Sequence, residues 1–214
     1  MHAEFWHKRW KNNEIGFHEE QGNELLRRYI KKCNIASGDL IFVPLCGKTK
    51  DIAWLLSKGF KIVAVELNED AVQQLFAELG SLPQIEVMQD FTRYYSRDIN
   101  VYVGDFFAIN ETILGKVDLI YDRAALVALP PPMRERYTQH ITDISHGAPQ
   151  LLICFQYDQE LLKGPPFSVQ DELVNLYYNQ KYHIKSLYRD YVKGGLRGQA
   201  EVFESVYMLT AIDE

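Results

Sequence analysis

Leu40–Glu66 reads LIFVPLCGKTKDIAWLLSKGFKIVAVE, and this stretch decides the fold. Leu40-Ile41-Phe42-Val43 is an apolar run, followed by the tight segment Pro44-Leu45-Cys46-Gly47-Lys48. Thr49–Ser57 has the pattern of a helix ended by Gly59, and Lys61–Val65 is a second apolar run that closes on Glu66. Strand, glycine turn, helix, strand, acid is the order of the first βαβ unit of a nucleotide-binding sheet. Strands apolar on both faces belong inside a sheet covered by helices. Gly47 has no side chain to hold a ligand off the backbone, and the helix start beyond it offers unpaired N–H groups. Glu66 stands about 20 residues past the turn, where a carboxylate accepts from both hydroxyls of a ribose. The plainer alternative is an ordinary βαβ unit whose acid caps the next helix. A dinucleotide fingerprint has three glycines and this turn has one, so it suits a ligand with a nucleoside and no diphosphate.

Working outward, Phe5, Trp6 and Trp10 lie near one helical face ahead of Asn12-Asn13 and Ile15-Gly16-Phe17-His18. So much aromatic area is either a strap docked on the core or a lid over a site. Glu20–Cys33 has the spacing of an amphipathic helix. Past Glu66, Asn68 is a good N-cap for a helix that Gly80 stops. Ile85–Met88 and Asn100–Val103 are short strand candidates, and the Arg97-Asp98 turn allows a hairpin over 85–103. Lys116–Tyr121 and Gln150–Gln156 are buried strands, with a helix over Met133–Ser145 started by Pro130-Pro131-Pro132. Ser168 with Asp171 has the spacing of a capping box for a helix through Tyr178. His183–Tyr191 and Val202–Leu209, joined by the glycine-rich Lys193–Gly198, form an antiparallel pair closing the sheet edge. The expected fold is α/β and Rossmann-like. It has a mostly parallel central sheet, a C-terminal antiparallel strand pair and helices on both faces, in one domain over residues 1–214, with 1–36 as the aromatic segment and its helix.

The 214 residues suffice for one α/β domain with a large core. A net charge of -6 without a basic block argues against nucleic acid as a partner. Cys33, Cys46 and Cys154 form no C-x-x-C pair, so neither a disulfide framework nor a metal site is expected, and a reducing cytoplasm fits. The charged, aromatic start has no signal-peptide core, and no apolar run approaches the roughly 20 residues of a membrane span. Nothing in the pattern suggests assembly, so a monomer is expected.

In open α/β sheets the ligand lies beyond the carboxyl ends of the strands. That picks out Val43–Lys48, Glu66–Leu67, Gly104–Phe106 and Asp122–Arg123. Asp105 serves a site or caps a turn; Asp122 and Arg123 serve a site or pair with each other on the surface. Cys46 has no nearby His to activate it as a nucleophile.

VPLCGKTKDIAWL, GFKIVAVELNEDAV, DLIYDRAALVALP and EIGFHEEQGNELL together resemble the thiopurine S-methyltransferase family, most closely its bacterial members, from about Ala3 to Leu209. The resemblance implies the class I fold of S-adenosylmethionine-dependent methyltransferases. It also implies methyl transfer to the sulfur of thiopurines and other aromatic or heterocyclic thiols, with selenium or tellurium species accepted by some relatives. It further implies cofactor contacts at Trp10, Leu45, Glu66 and Arg123, with Asp105 and Phe106 flanking the adenine and Phe17 at the substrate pocket. The N-terminal segment then becomes a lid, and a second basic residue near the substrate is Lys193 or Arg197. Arg123 is expected to orient the heterocycle, in catalysis by alignment and desolvation without a dedicated base. His18 is the nearest candidate if a base exists. The competing readings are an O- or N-methyltransferase of the same fold and a non-catalytic S-adenosylmethionine-binding module.

Overall fold

A computed structural model describes residues 3–198 and 201–212. Along the chain these form α1 (Ala3–Lys11), α2 (Glu24–Tyr29), β1 (Leu40–Pro44), α3 (Lys50–Ser57), β2 (Lys61–Glu66) and α4 (Glu69–Glu78). Then come β3 (Gln84–Val87), β4 (Thr92–Ser96), β5 (Ile99–Val103), α5 (Glu111–Leu114), β6 (Leu119–Arg123) and α6 (Pro131–Ile144). The remainder is β7 (Gln150–Gln156), α7 (Asp171–Tyr178), β8 (Tyr182–Tyr191) and β9 (Phe203–Ala211). The strands make one sheet in the order β3-β4-β5-β2-β1-β6-β7-β9-β8. Its centre, β5 to β7, is parallel. The β9 strand pairs antiparallel with both β7 and β8, the expected closing pair.

Strand alternation sorts the core into two layers. Phe42, Val63, Val65 and Ile120 pack with Tyr137, Ile141 and Tyr178 from α6 and α7. Ile41, Val43, Ile62 and Ala64 pack on the other face with Leu26, Ile52, Leu55 and Leu75 from α2, α3 and α4. Crossover helices therefore cover both faces, which is why the central strands are apolar throughout.

Two expectations need correction and one is extended. The sheet carries a second antiparallel edge: the hairpin allowed over 85–103 exists, and Thr92–Ser96 within it is a further strand, β4, paired with both β3 and β5. Period-2 alternation explains this, because Tyr94 is buried against Phe76 while Arg93 lies over Tyr95 on the outer face. The helix expected over Glu20–Cys33 starts only at Glu24. Gly22 has φ +69° and Asn23 caps the helix through a 3.0 Å bond from Leu26 N–H. No capping box forms at Ser168. Its hydroxyl accepts from Tyr157 N–H at 3.0 Å, while Asp171 accepts from the side chains of Gln156 and Tyr207. Strands β7 and β9, which carry Gln156 and Tyr207, compete successfully for that carboxylate.

Candidate active site

The turn after β1 is strained by design. Leu45 has φ 46° and Gly47 φ 53°, a region that costs a residue with a Cβ about 1 kcal/mol or more. The sequence suggested that Gly47 clears the backbone for a ligand; the structure gives that space to a ring. A Cβ at Gly47 would lie 3.0 Å from Trp10, and Phe17 is also beside it. The Gly47 N–H is committed too, donating to Glu66 Oε2 at 2.7 Å.

Glu66, at the end of β2, is buried. Its Oε1 accepts from Asn68 N–H at 2.9 Å. Burial pushes its pKa up, and hydrogen bonds from the Asn68, Gly47 and Leu67 N–H groups pull the other way. Each oxygen has two lone pairs, so capacity remains toward the cavity that Glu66 helps line. The cap itself is Asn68, whose side chain accepts from Ala71 N–H at 2.9 Å. Glu66 therefore does not serve as the cap of α4.

Arg123, at the end of β6, reaches across to the N-terminal segment. Its Nη1 donates to Phe17 O at 2.6 Å and its Nη2 to Glu19 Oε1 at 2.5 Å. Asp122 points to the opposite face, so the two do not pair. It is fully buried, accepting from Tyr137 OH at 2.7 Å and Leu126 N–H at 3.1 Å, and burial pushes its pKa up to about 6.

Trp6, Trp10 and Phe17 form an edge-to-face cluster, with Trp10 and Phe17 centroids 5.6 Å apart. Held by Arg123 and seated on Gly47, this segment walls a cavity of about 360 Å³, within the range of small-molecule sites. Trp10, Leu45, Glu66, Arg123, Phe17 and His18 all line it, drawn together from four separate parts of the chain. His18 has its pKa pushed down, first by burial and then by Lys48, which favours the neutral imidazole. Cys46 lines the cavity as a buried thiol whose pKa burial raises, the opposite of what a nucleophile needs.

Two expected residues lie apart. The Asp105 carboxylate accepts from Phe107 N–H at 3.0 Å and is exposed. The Phe106 ring is buried in the core, stacked near Phe42 and 4.8 Å from Tyr137. Neither side chain lines the cavity, although Val103 pairs with Glu66 and brings their loop alongside it. Of Lys193 and Arg197, Arg197 is at the cavity. Sequence reasoning missed Asp51 altogether. Buried under the cavity, it accepts from Asn23 N–H (2.6 Å), the Thr49 hydroxyl (3.0 Å) and Tyr121 OH (3.0 Å). Pro165, Pro166 and Phe155, from β7 and the loop after it, were missed as well. Their proximity depends on strand order, which no local pattern encodes.

Along the sheet edge the cavity runs from Glu66 on β2, past the β1 turn and Arg123 on β6, to Phe155 on β7. Three strand spacings make that roughly 14 Å. Among the described residues, no helix is long and apolar enough to cross a membrane.

The chain is 46% identical over 210 residues to a thiopurine S-methyltransferase of Xanthobacter autotrophicus, covering 98% of this chain and 99% of that one. It is 45% identical to one from Teredinibacter turnerae, with 98% of each covered. A crystal structure of an S-adenosylmethionine-dependent methyltransferase from Anabaena variabilis superimposes with a TM-score of 0.66 at 13% identity, covering 97% of this chain and 94% of the other. At that identity the likeness establishes the class I fold alone. The family model for thiopurine S-methyltransferase matches residues 1–211. With near full-length relatives above 40% identity, the chain belongs to the thiopurine S-methyltransferase family.

Proposed function

We propose that this chain transfers the methyl group of S-adenosylmethionine to the sulfur of thiopurines and related aromatic or heterocyclic thiols. The observation that carries the reading, beyond family membership, is the continuous cavity from Glu66 to Phe155 under an aromatic lid. The donor set fits the cofactor. Glu66 supplies a carboxylate for ribose hydroxyls, and Leu45 lies at the turn next to it. Trp10 supplies an aromatic wall, and such faces attract a cation. The loop holding Asp105 and Phe106 flanks the adenine end through its backbone and the exposed carboxylate, since the Phe106 ring belongs to the core.

S-adenosylmethionine, when bound, supplies a methyl group on a sulfonium, taken up in line by a thiolate to leave two neutral thioethers. The chain's part is alignment and exclusion of water. Trp6, Trp10 and Phe17 close the site, and Arg123 keeps them closed. A guanidinium has five N–H donors; with two bound to Phe17 and Glu19, Arg123 retains others for the heterocycle. Phe17 and Phe155 flank the flat acceptor. Heterocyclic thiols ionise more readily than Cys, so the thiol gives its proton to water before transfer, and His18 at the cavity is not required as a base.

Initial rates with a thiopurine, and with its oxygen and nitrogen analogues, test this, with products identified by mass. Methylation on sulfur alone is expected. Equal rates on the oxygen or nitrogen analogue would reassign the acceptor. Cofactor binding without turnover of any thiol would leave a non-catalytic module.

A further inference from the structure

Arg134, on α6, lies outside the cavity lining, is 1% exposed and has no carboxylate within ion-pair distance among the described residues. Burying an unpaired guanidinium is a poor way to gain stability, since apolar side chains of similar volume usually do as well or better. Its hydrogen bonds suggest a different use. Nε donates to Leu129 O at 2.9 Å and Nη1 donates to Ser168 O at 3.1 Å. The first carbonyl ends the loop after β6, whose Val127 and Ala128 line the cavity. The second follows directly on Pro165-Pro166-Phe167 in the loop after β7, and both prolines line the cavity. Phe167 N–H donates to Val127 O at 2.6 Å, making a second tie between these loops. Tyr157 OH donates to Pro166 O at 2.5 Å and holds the same proline segment from the strand side.

We infer that Arg134 is a positioning residue: its planar fork sets the separation of the two loops that form the β6–β7 end of the cavity, the end that receives the methyl acceptor. The inference rests on the proposed function, which puts the cofactor over β2 and β1 and leaves the acceptor to the β6–β7 side. A fork that donates in fixed directions to two carbonyls has no substitute in lysine, whose ammonium is a point charge on a flexible stem. With the fork lost, Val127, Ala128, Pro165 and Pro166 shift relative to the cofactor end, and small misplacements of a bound reactant cost rate steeply.

The test compares wild type with Arg134→Lys and Tyr157→Phe. Measured are acceptor KM and kcat for a bicyclic thiopurine and a monocyclic aromatic thiol, and calorimetric Kd for S-adenosylhomocysteine. For Arg134→Lys we expect acceptor KM to rise about tenfold, with a loss of preference between the two acceptors, while the S-adenosylhomocysteine Kd stays within about twofold. Tyr157→Phe should shift acceptor KM in the same direction by a few-fold, again without moving the cofactor Kd. Parallel loss of cofactor and acceptor affinity, or unchanged acceptor KM and preference, would overturn the inference. Tyr157→Phe decides alone if the lysine variant does not fold. Failure of wild type to bind S-adenosylhomocysteine would instead strike the functional reading beneath it.

Discussion

Replacing Arg123 with alanine removes the latch between β6 and the aromatic lid. The bond to Phe17 O, at 2.6 Å from a side chain 10% exposed, is charge-assisted and mostly shielded from water. Such bonds are worth about 1.5–3 kcal/mol. The ion pair to Glu19 counts for less, because the Glu19 side chain is 37% exposed; a solvent-screened pair gives about 1 kcal/mol. Together the loss is about 3 kcal/mol, roughly a hundredfold in Kd for any ligand that needs the closed lid. Calorimetric titration with S-adenosylhomocysteine measures it for wild type, Arg123→Ala, Glu19→Gln and the double variant. Glu19→Gln should weaken binding about fivefold. The double variant should bind about as Arg123→Ala does, because the pair is lost once. Binding by Arg123→Ala within about threefold of wild type, or additive effects in the double variant, would refute the latch.

Other consequences follow from the same geometry. Gly47→Ala pushes a Cβ to 3.0 Å from the Trp10 ring at φ 53°, so S-adenosylhomocysteine affinity should fall about tenfold as Trp10 is displaced; calorimetry reads it. His18→Ala should cost less than about tenfold in kcat/KM with an acidic heterocyclic thiol, and loss of most activity in steady-state assays would establish a base. Asp51→Asn leaves one acceptor oxygen for three donors and should destabilise the fold by about 2–3 kcal/mol in urea unfolding. Asp122 has its folded pKa raised from 3.8 to about 6, so the folded state holds the proton more tightly and this contribution to stability is lost as pH rises from about 4 to 6. The wild-type decline in urea stability between pH 4 and pH 7 should exceed that of Asp122→Asn by about 2 kcal/mol.

The βαβ unit was legible because its evidence is local: apolar runs, one glycine turn and a terminal acid within 27 residues. Glu66, Arg123 and the aromatic segment could be singled out for similar reasons, two by strand-end position and one by composition. What Gly47 makes room for was not legible, since Trp10 meets it from far away in the chain. Asp51 stands in the first turn of α3, where an acid is unremarkable, and its three donors come from a loop, a cap and β6. Arg134 sits among the polar residues of an amphipathic helix, and nothing local marks it as buried. Ser168 and Asp171 had the right spacing for a capping box, but tertiary partners outbid the local motif. Each miss concerns a contact set by strand order or by a neighbour distant in sequence.

In the proposed function this cavity holds S-adenosylmethionine with Glu66 at its ribose. Calorimetric titration of S-adenosylhomocysteine into wild type and Glu66→Ala tests it most directly. Saturable binding with one site per chain is predicted for wild type. For Glu66→Ala, the loss of charge-assisted bonds worth about 1.5–3 kcal/mol predicts binding weaker by about ten- to a hundredfold. No binding by wild type, or equal affinity in the two proteins, would contradict the claim.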